Sequence, residues 1–166
     1  MTGARAAVIG VGNDYRGDDG VGPSVARELA RLDLPGVAVT VCDGEPTGLL
    51  DAWTGVELAV VVDAVRCEPA TPGRIRRTGV DSLPGGTYPT SSHALGIPDA
   101  LLLGRALGRV PRELVVIAVE AASFHLGAGL SAPVAAAVPR VVRTVLAELR
   151  RLGQPARTPM EPGLDQ

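Results

Sequence analysis

The chain contains no lysine; all 16 of its basic residues are arginine, a compositional bias without functional weight. Aromatic residues make up only 2%, so any core must be built from valine, leucine, alanine and isoleucine. Two cysteines, Cys42 and Cys67, are isolated in sequence. They form neither a CxxC pair nor a metal-ligand spacing, which argues for small buried side chains in a reducing compartment. No apolar run approaches the roughly 18 residues needed to cross a bilayer. The N-terminal "MTGARAAVIG" has no apolar stretch of signal-peptide length before a cleavage site. A cytoplasmic protein with no membrane partner is therefore expected. A net charge of -2 and a pI near 5.7 leave no basic footprint for nucleic acid.

What is present suits one domain: 166 residues, 46% of them apolar, with a mean hydropathy of +0.23. Short apolar runs at 6–12, 37–43, 56–65 and 113–120 read as buried strands, and 73–80 as an added strand. Helical spacing marks 21–32, 47–53, 93–108 and 130–153. Leu95, Ala100, Leu103 and Leu107 fall near one face of the third helix. Ser131 can cap the fourth, and Pro139 is expected to kink it. The Pro-rich segment 154–166 is expected to be a disordered tail after a single domain of residues 1–153. Alternating strands and helices predict an α/β fold, a mostly parallel sheet of about five strands covered on both faces. Ligands of such sheets bind beyond the carboxyl ends of the strands.

Five acidic or imidazole residues fall at those ends or at helix starts: Asp18 and Asp19 in "GVGNDYRGDDGVG" (10–22), Asp43, Asp63 in "LAVVVDAV", and His93 in "TSSHALG". Asp18 can instead cap the following helix. A carboxylate closing an apolar strand, as Asp63 does, pays heavy desolvation without a partner. Two carboxylates and one imidazole at one sheet end form a donor set for a divalent metal, with coordination positions left open. His125 reads as an ordinary histidine. The glycine loop does not read as a phosphate cradle: Tyr15 stands where a GxGxxG element needs its third glycine, and no GxxxxGK[ST] occurs. Neither a GxSxG elbow around Ser91, Ser92 or Ser131 nor an HExxH helix is found. A nucleotide- or nucleoside-binding α/β module is the alternative in another class.

Five segments, in order, resemble the hydrogenase maturation endopeptidases, the peptidases that process nickel-iron hydrogenase large subunits. They are "GVGNDYRGDDGVG", "DGEPTGLLDAW", "VVVDAV", "SSHALGIPDALLLG" and "GAGLSAPVAAAVPRVV", and the likeness spans roughly residues 6 to 150. The resemblance implies a three-layer α/β/α sandwich, phosphorylase/hydrolase-like in class. It implies removal of a C-terminal extension from the large-subunit precursor after nickel insertion, with nickel supplied by that substrate and no organic cofactor. It also implies a metal-contacting triad of Asp19, Asp63 and His93, with Asp19 and Asp63 catalytic and Asp43 a further catalytic acid. A monomer is expected. Two departures stand out: "VEAASFHLGAG" has alanine where many members have Glu-Pro or Gln-Pro, and 66–92 matches weakly. A triad of this kind also fits a chaperone that senses nickel in the precursor without cutting it.

Overall fold

Strand β3 (Leu58–Val65) is buried along its whole length, and its side chains alternate between two apolar layers. Leu58, Val60, Val62 and Ala64 enter one layer; Ala59 and Val61 enter the other. This is the pattern of a strand covered on both faces by helices. In the computed structural model, which describes residues 3–79, 96–127 and 129–152, β3 is the middle of a five-stranded sheet. The order is β2-β1-β3-β5-β4, with β1 (Ala6–Val11), β2 (Val37–Cys42), β3 and β5 (Glu113–Glu120) parallel. The edge strand β4 (Ile75–Gly79) runs antiparallel to β5.

Helices α1 (Val21–Ala30) and α4 (Ala132–Leu152) cover one face through Val21, Val25, Leu29, Val134, Ala137, Val141 and Val145. Helices α2 (Pro46–Trp53) and α3 (Gly96–Leu107) cover the other through Leu49, Leu50, Trp53, Ile97, Ala100 and Leu101. The expected α/β/α sandwich is thus the observed one. Each fully buried valine or leucine in these layers contributes about 1.5–3 kcal/mol relative to exposure. Among the described residues, no helix is long and apolar enough to cross a membrane.

Two helical details differ from the sequence reading. Leu103 and Leu107 do not face the core: they are 38% and 55% exposed, and the buried row is Ile97, Ala100, Leu101 and Gly104. Both rows include Ala100 and both have helical spacing. Gly104 decides between them, because a Cβ there would lie 2.8 Å from the Arg109 carbonyl and 3.1 Å from Leu50. The side of close approach needs a residue without a side chain. Helix α4, in turn, continues through Pro139. Pro139 and Ala135 are both exposed, so the Ala135 carbonyl that loses its helical donor faces water, which can replace it. Leu95 and the tail from residue 154 lie outside the described residues.

Because β1 lies between β2 and β3, the connection from β1 steps one way and the later chain steps the other. This makes the carboxyl ends of β1 and β3 the topological switch point, the place where open α/β sheets bind ligands. Helix α1 seats directly on that point. A Cβ on Gly22 would lie 2.4 Å from the Val11 carbonyl and 2.6 Å from that of Val62. Gly22→Ala is therefore expected to lower stability by about 3 kcal/mol through overpacking. Gly48→Ala, inside α2 with only the Cys42 Cβ at 3.8 Å, is the control. It should be neutral or stabilising by up to about 1 kcal/mol. Denaturant midpoints of the two variants check both signs.

Candidate active site at the switch point

The loop leaving β1 is built around its own acid. Gly12 has φ of +142°, and a Cβ there would come within 1.9 Å of the Asp19 carbonyl oxygen. Only glycine fits, since any side chain would strike backbone. The Asn13 amide donates to Asp19 Oδ2 at 3.0 Å, and the Asp19 amide donates to the Arg16 carbonyl at 3.2 Å. The chain then closes a single 3-10 turn, Gly17–Gly20, and continues as α1. Asp19 is fully buried at the positive end of that helix, a placement that favours a carboxylate. A buried carboxylate in this loop sets like charge against a nucleotide's pyrophosphate, which counts against the nucleotide alternative.

Asp63 continues the odd-numbered row of β3 and so belongs to the face that α2 and α3 cover. It sits two residues before the strand's end, paired in register with Ala118, and both carboxylate oxygens are shielded from solvent. The 3-10 turn that carries Asp19 packs on β3, the strand that carries Asp63. Cys42, at the end of β2, ties the neighbouring residues together. Its carbonyl accepts from the Gly12 amide at 3.0 Å. Burial pushes its thiol up; a backbone hydrogen bond with Gly44 opposes this, and the charges of Asp43 and Asp63 push it further up. Asp43 itself is exposed, and its Oδ1 accepts from the Glu45 amide at 3.1 Å in the turn that opens α2.

Asp19 lies in the turn that follows β1, Asp43 just past the end of β2 and Asp63 near the end of β3, at the same end of three neighbouring strands. His93 lies outside the described residues. Gly96, three residues further along, opens α3 against the same rim, where a Cβ would lie 2.0 Å from the Gly44 carbonyl. Among the described residues, no group of three His, Cys, Asp or Glu side chains is assembled for a metal ion. Two carboxylates can contribute oxygen ligands to a divalent cation or transfer protons to and from water. A thiol nucleophile has no support: both cysteines are shifted away from thiolate. Cys67 is raised first by burial and then by the Glu120 carboxylate beside it.

Two buried acids have roles that the sequence pattern did not disclose. Asp18 does not cap α1, which starts three residues later with Gly20 at its N-cap. Its carboxylate instead accepts from the Ala122 amide at 2.7 Å and the Ser123 amide at 3.3 Å. It also accepts from the Ser131 amide at 2.7 Å and the Ser131 hydroxyl at 2.9 Å. The Ser131 hydroxyl thus serves Asp18. Glu120, ending β5, is also buried, and it is engaged by cations and an amide. It accepts from the Thr71 amide at 3.1 Å and Arg76 Nε at 3.3 Å, with Arg74 at 3.8 Å. Burial raises its pKa, and the Thr71 amide, Arg76 and Cys67 together outweigh that and hold it below the usual carboxylate range. In sequence, "VVIAVE" looks like "VVVDAV"; the Thr71 amide and the facing arginines mark Glu120 as a structural acid.

The chain matches a family profile described as HycI, hydrogenase maturation protease, over residues 23–148. It is 28% identical over 152 residues to the hydrogenase 2 maturation protease of Escherichia coli, spanning 90% of this chain and 93% of that one. Its fold is similar to that of the hydrogenase maturating endopeptidase HybD from E. coli. The TM-score is 0.77 at 27% identity, over 90% of this chain and 94% of that one. It is also similar to the [NiFe] hydrogenase maturation protease HybD from Thermococcus kodakarensis. There the TM-score is 0.72 at 26% identity, over 87% and 98% of the two chains.

Proposed function

We propose that this chain, which belongs to the hydrogenase maturation protease family, cuts the C-terminal extension from a nickel-iron hydrogenase large-subunit precursor once nickel has entered it. The observation that carries this reading is the placement of Asp19 and Asp63, both fully buried, at the β1/β3 switch point of a chain in that family. Two carboxylates at the sheet end where open α/β folds take their ligands supply oxygen donors for a divalent metal and groups that move protons.

In this reading His93 completes the set with Asp19 and Asp63. Two carboxylates and an imidazole suit a divalent first-row metal, and nickel arrives as part of the substrate. Support for His93 is that α3 opens at Gly96, packed against Gly44 next to Asp43. Asp43 serves as the acid that moves protons during hydrolysis; its solvent exposure beside two buried carboxylates supports that role.

The test is intact-mass measurement of a precursor large subunit incubated with the purified full chain, with and without nickel. Only the nickel-loaded precursor should lose the mass of its extension. Tight binding without any mass change would favour a chaperone, and equal cleavage of nickel-free precursor would remove the recognition role of the triad.

A further inference from the structure

Beside the acidic rim lies a cavity of about 350 Å³, bounded by the segments that follow β1, β3 and β5. Arg16 reaches it from the first, Arg66 and Glu68 from the second, and Ser123, Phe124 and His125 from the third. We propose that this cavity is a substrate subsite that holds a carboxylate of the polypeptide being cleaved. The inference rests on the peptidase reading and extends it to the chemistry of the segment recognised.

Charge is the first argument. Among the described residues, neither the Arg16 nor the Arg66 guanidinium makes an ion pair or hydrogen bond; Arg66 lies over the Phe124 ring, 5.4 Å from its centroid. The next arginines along the chain differ: Arg74 and Arg76 are taken by Glu120. A guanidinium stacked on a ring, as that of Arg66 is, keeps its edge donors available, and with Arg16 it puts two forks at one cavity, which suits the two oxygens of a carboxylate. Glu68 also lines the cavity and is exposed, as Arg66 is; against the two arginines it leaves one positive charge in excess. The Cys67 thiol, raised by burial and by Glu120, adds no negative charge.

The lip of the cavity supplies the second argument. The segment after β1 pairs with the segment after β5 through a parallel bridge between Arg16 and Gly127. The Gly127 amide donates to the Tyr15 carbonyl at 2.8 Å, and the Gly17 amide donates to the Gly127 carbonyl at 3.1 Å. In that register Tyr15 and Leu126 are neighbours, and they are 72% and 87% exposed. Large apolar side chains left in water next to an anion-binding cavity fit a polypeptide better than a free anion.

The carboxylate has two sources in a peptide: an acidic side chain or the chain terminus. The test uses the full chain and the nickel-loaded precursor in four forms: unaltered, with the extension's acidic side chains changed to amides, with its terminus amidated, and with both. For wild type, KM should rise about tenfold on removal of the recognised carboxylate, the worth of one charge-assisted contact, with kcat unchanged. Which form shows the rise identifies the source. Arg16→Gln and Arg66→Gln should raise KM similarly for the unaltered precursor and become indifferent to the deletion. Equal KM for all four forms overturns the proposal. So do arginine variants whose KM follows the deletion as steeply as wild type. Failure of wild type to cut any form would count against the peptidase reading instead. In that case precursor affinity, measured by fluorescence anisotropy across the same forms and variants, carries the same comparison.

Discussion

Asp63→Asn is expected to lower precursor cleavage by at least about 100-fold, in the range of lost acid-base or ligand function, without lowering the unfolding midpoint. The two halves of this result come from the same geometry. The side chain is fully buried near the end of the central strand, so an amide of equal volume leaves the packing of β3 as it is. Asparagine keeps one carbonyl oxygen as an acceptor and removes the desolvation cost of a buried charge, which in a site held for function offsets what the lost charge contributed. Asp19→Asn should lose activity to a similar degree. Its retained oxygen can still accept from the Asn13 amide, so the loop after β1 should persist. His93→Ala completes the series. The measurements are the mass of the large subunit over time and a denaturant melt of each variant. Full cleavage by all three variants would leave the acidic rim without a catalytic role. Loss of activity accompanied by unfolding would make Asp63 a structural acid, as Glu120 is.

The contrast between Asp63 and Glu120 shows what the sequence could and could not convey. Apolar period and strand spacing were enough for the α/β/α layers, because a strand buried on both faces reads as an unbroken apolar run, and β3 is one. The same run exposes Asp63 as an anomaly. It does not say what faces a strand-end acid, since that depends on registry: Asp63 lies beside Ala118 of β5, whereas Glu120 meets Arg76 of β4. Likewise "DD" at 18–19 could not be divided by pattern. The resemblance assigned Asp19 to the metal triad, and the structure gives Asp18 a distinct task through partners more than 100 residues away. The buried face of α3 was misjudged because spacing weighs leucine above glycine, whereas the contact is made where Gly104 allows the chains to touch.

Asp18→Ala is expected to produce the opposite signature to Asp63→Asn: a loss of about 4 kcal/mol in stability, from charge-assisted bonds that nothing replaces. Its carboxylate is 1% exposed and accepts four hydrogen bonds, three of them from backbone amides at 122, 123 and 131. Alanine would leave those amides and the Ser131 hydroxyl facing a small void with no acceptor, and buried unsatisfied donors are what make such substitutions severe. Asparagine should cost about half as much, because one oxygen remains while the new amide group meets donors with a donor. For a chain whose total stability is of order 5–15 kcal/mol, the alanine variant should melt well below wild type. The exposed Asp14–Arg27 pair, at 2.9 Å, offers the comparison: Asp14→Ala should change stability by no more than about 1 kcal/mol despite equally short contacts. Since the bonds of Asp18 fix Ser123 and Ser131 against the loop that carries Asp19, the surviving folded fraction of Asp18→Ala should also have a raised KM. An Asp18→Ala chain as stable as wild type would mean that this junction is held by something other than the buried carboxylate.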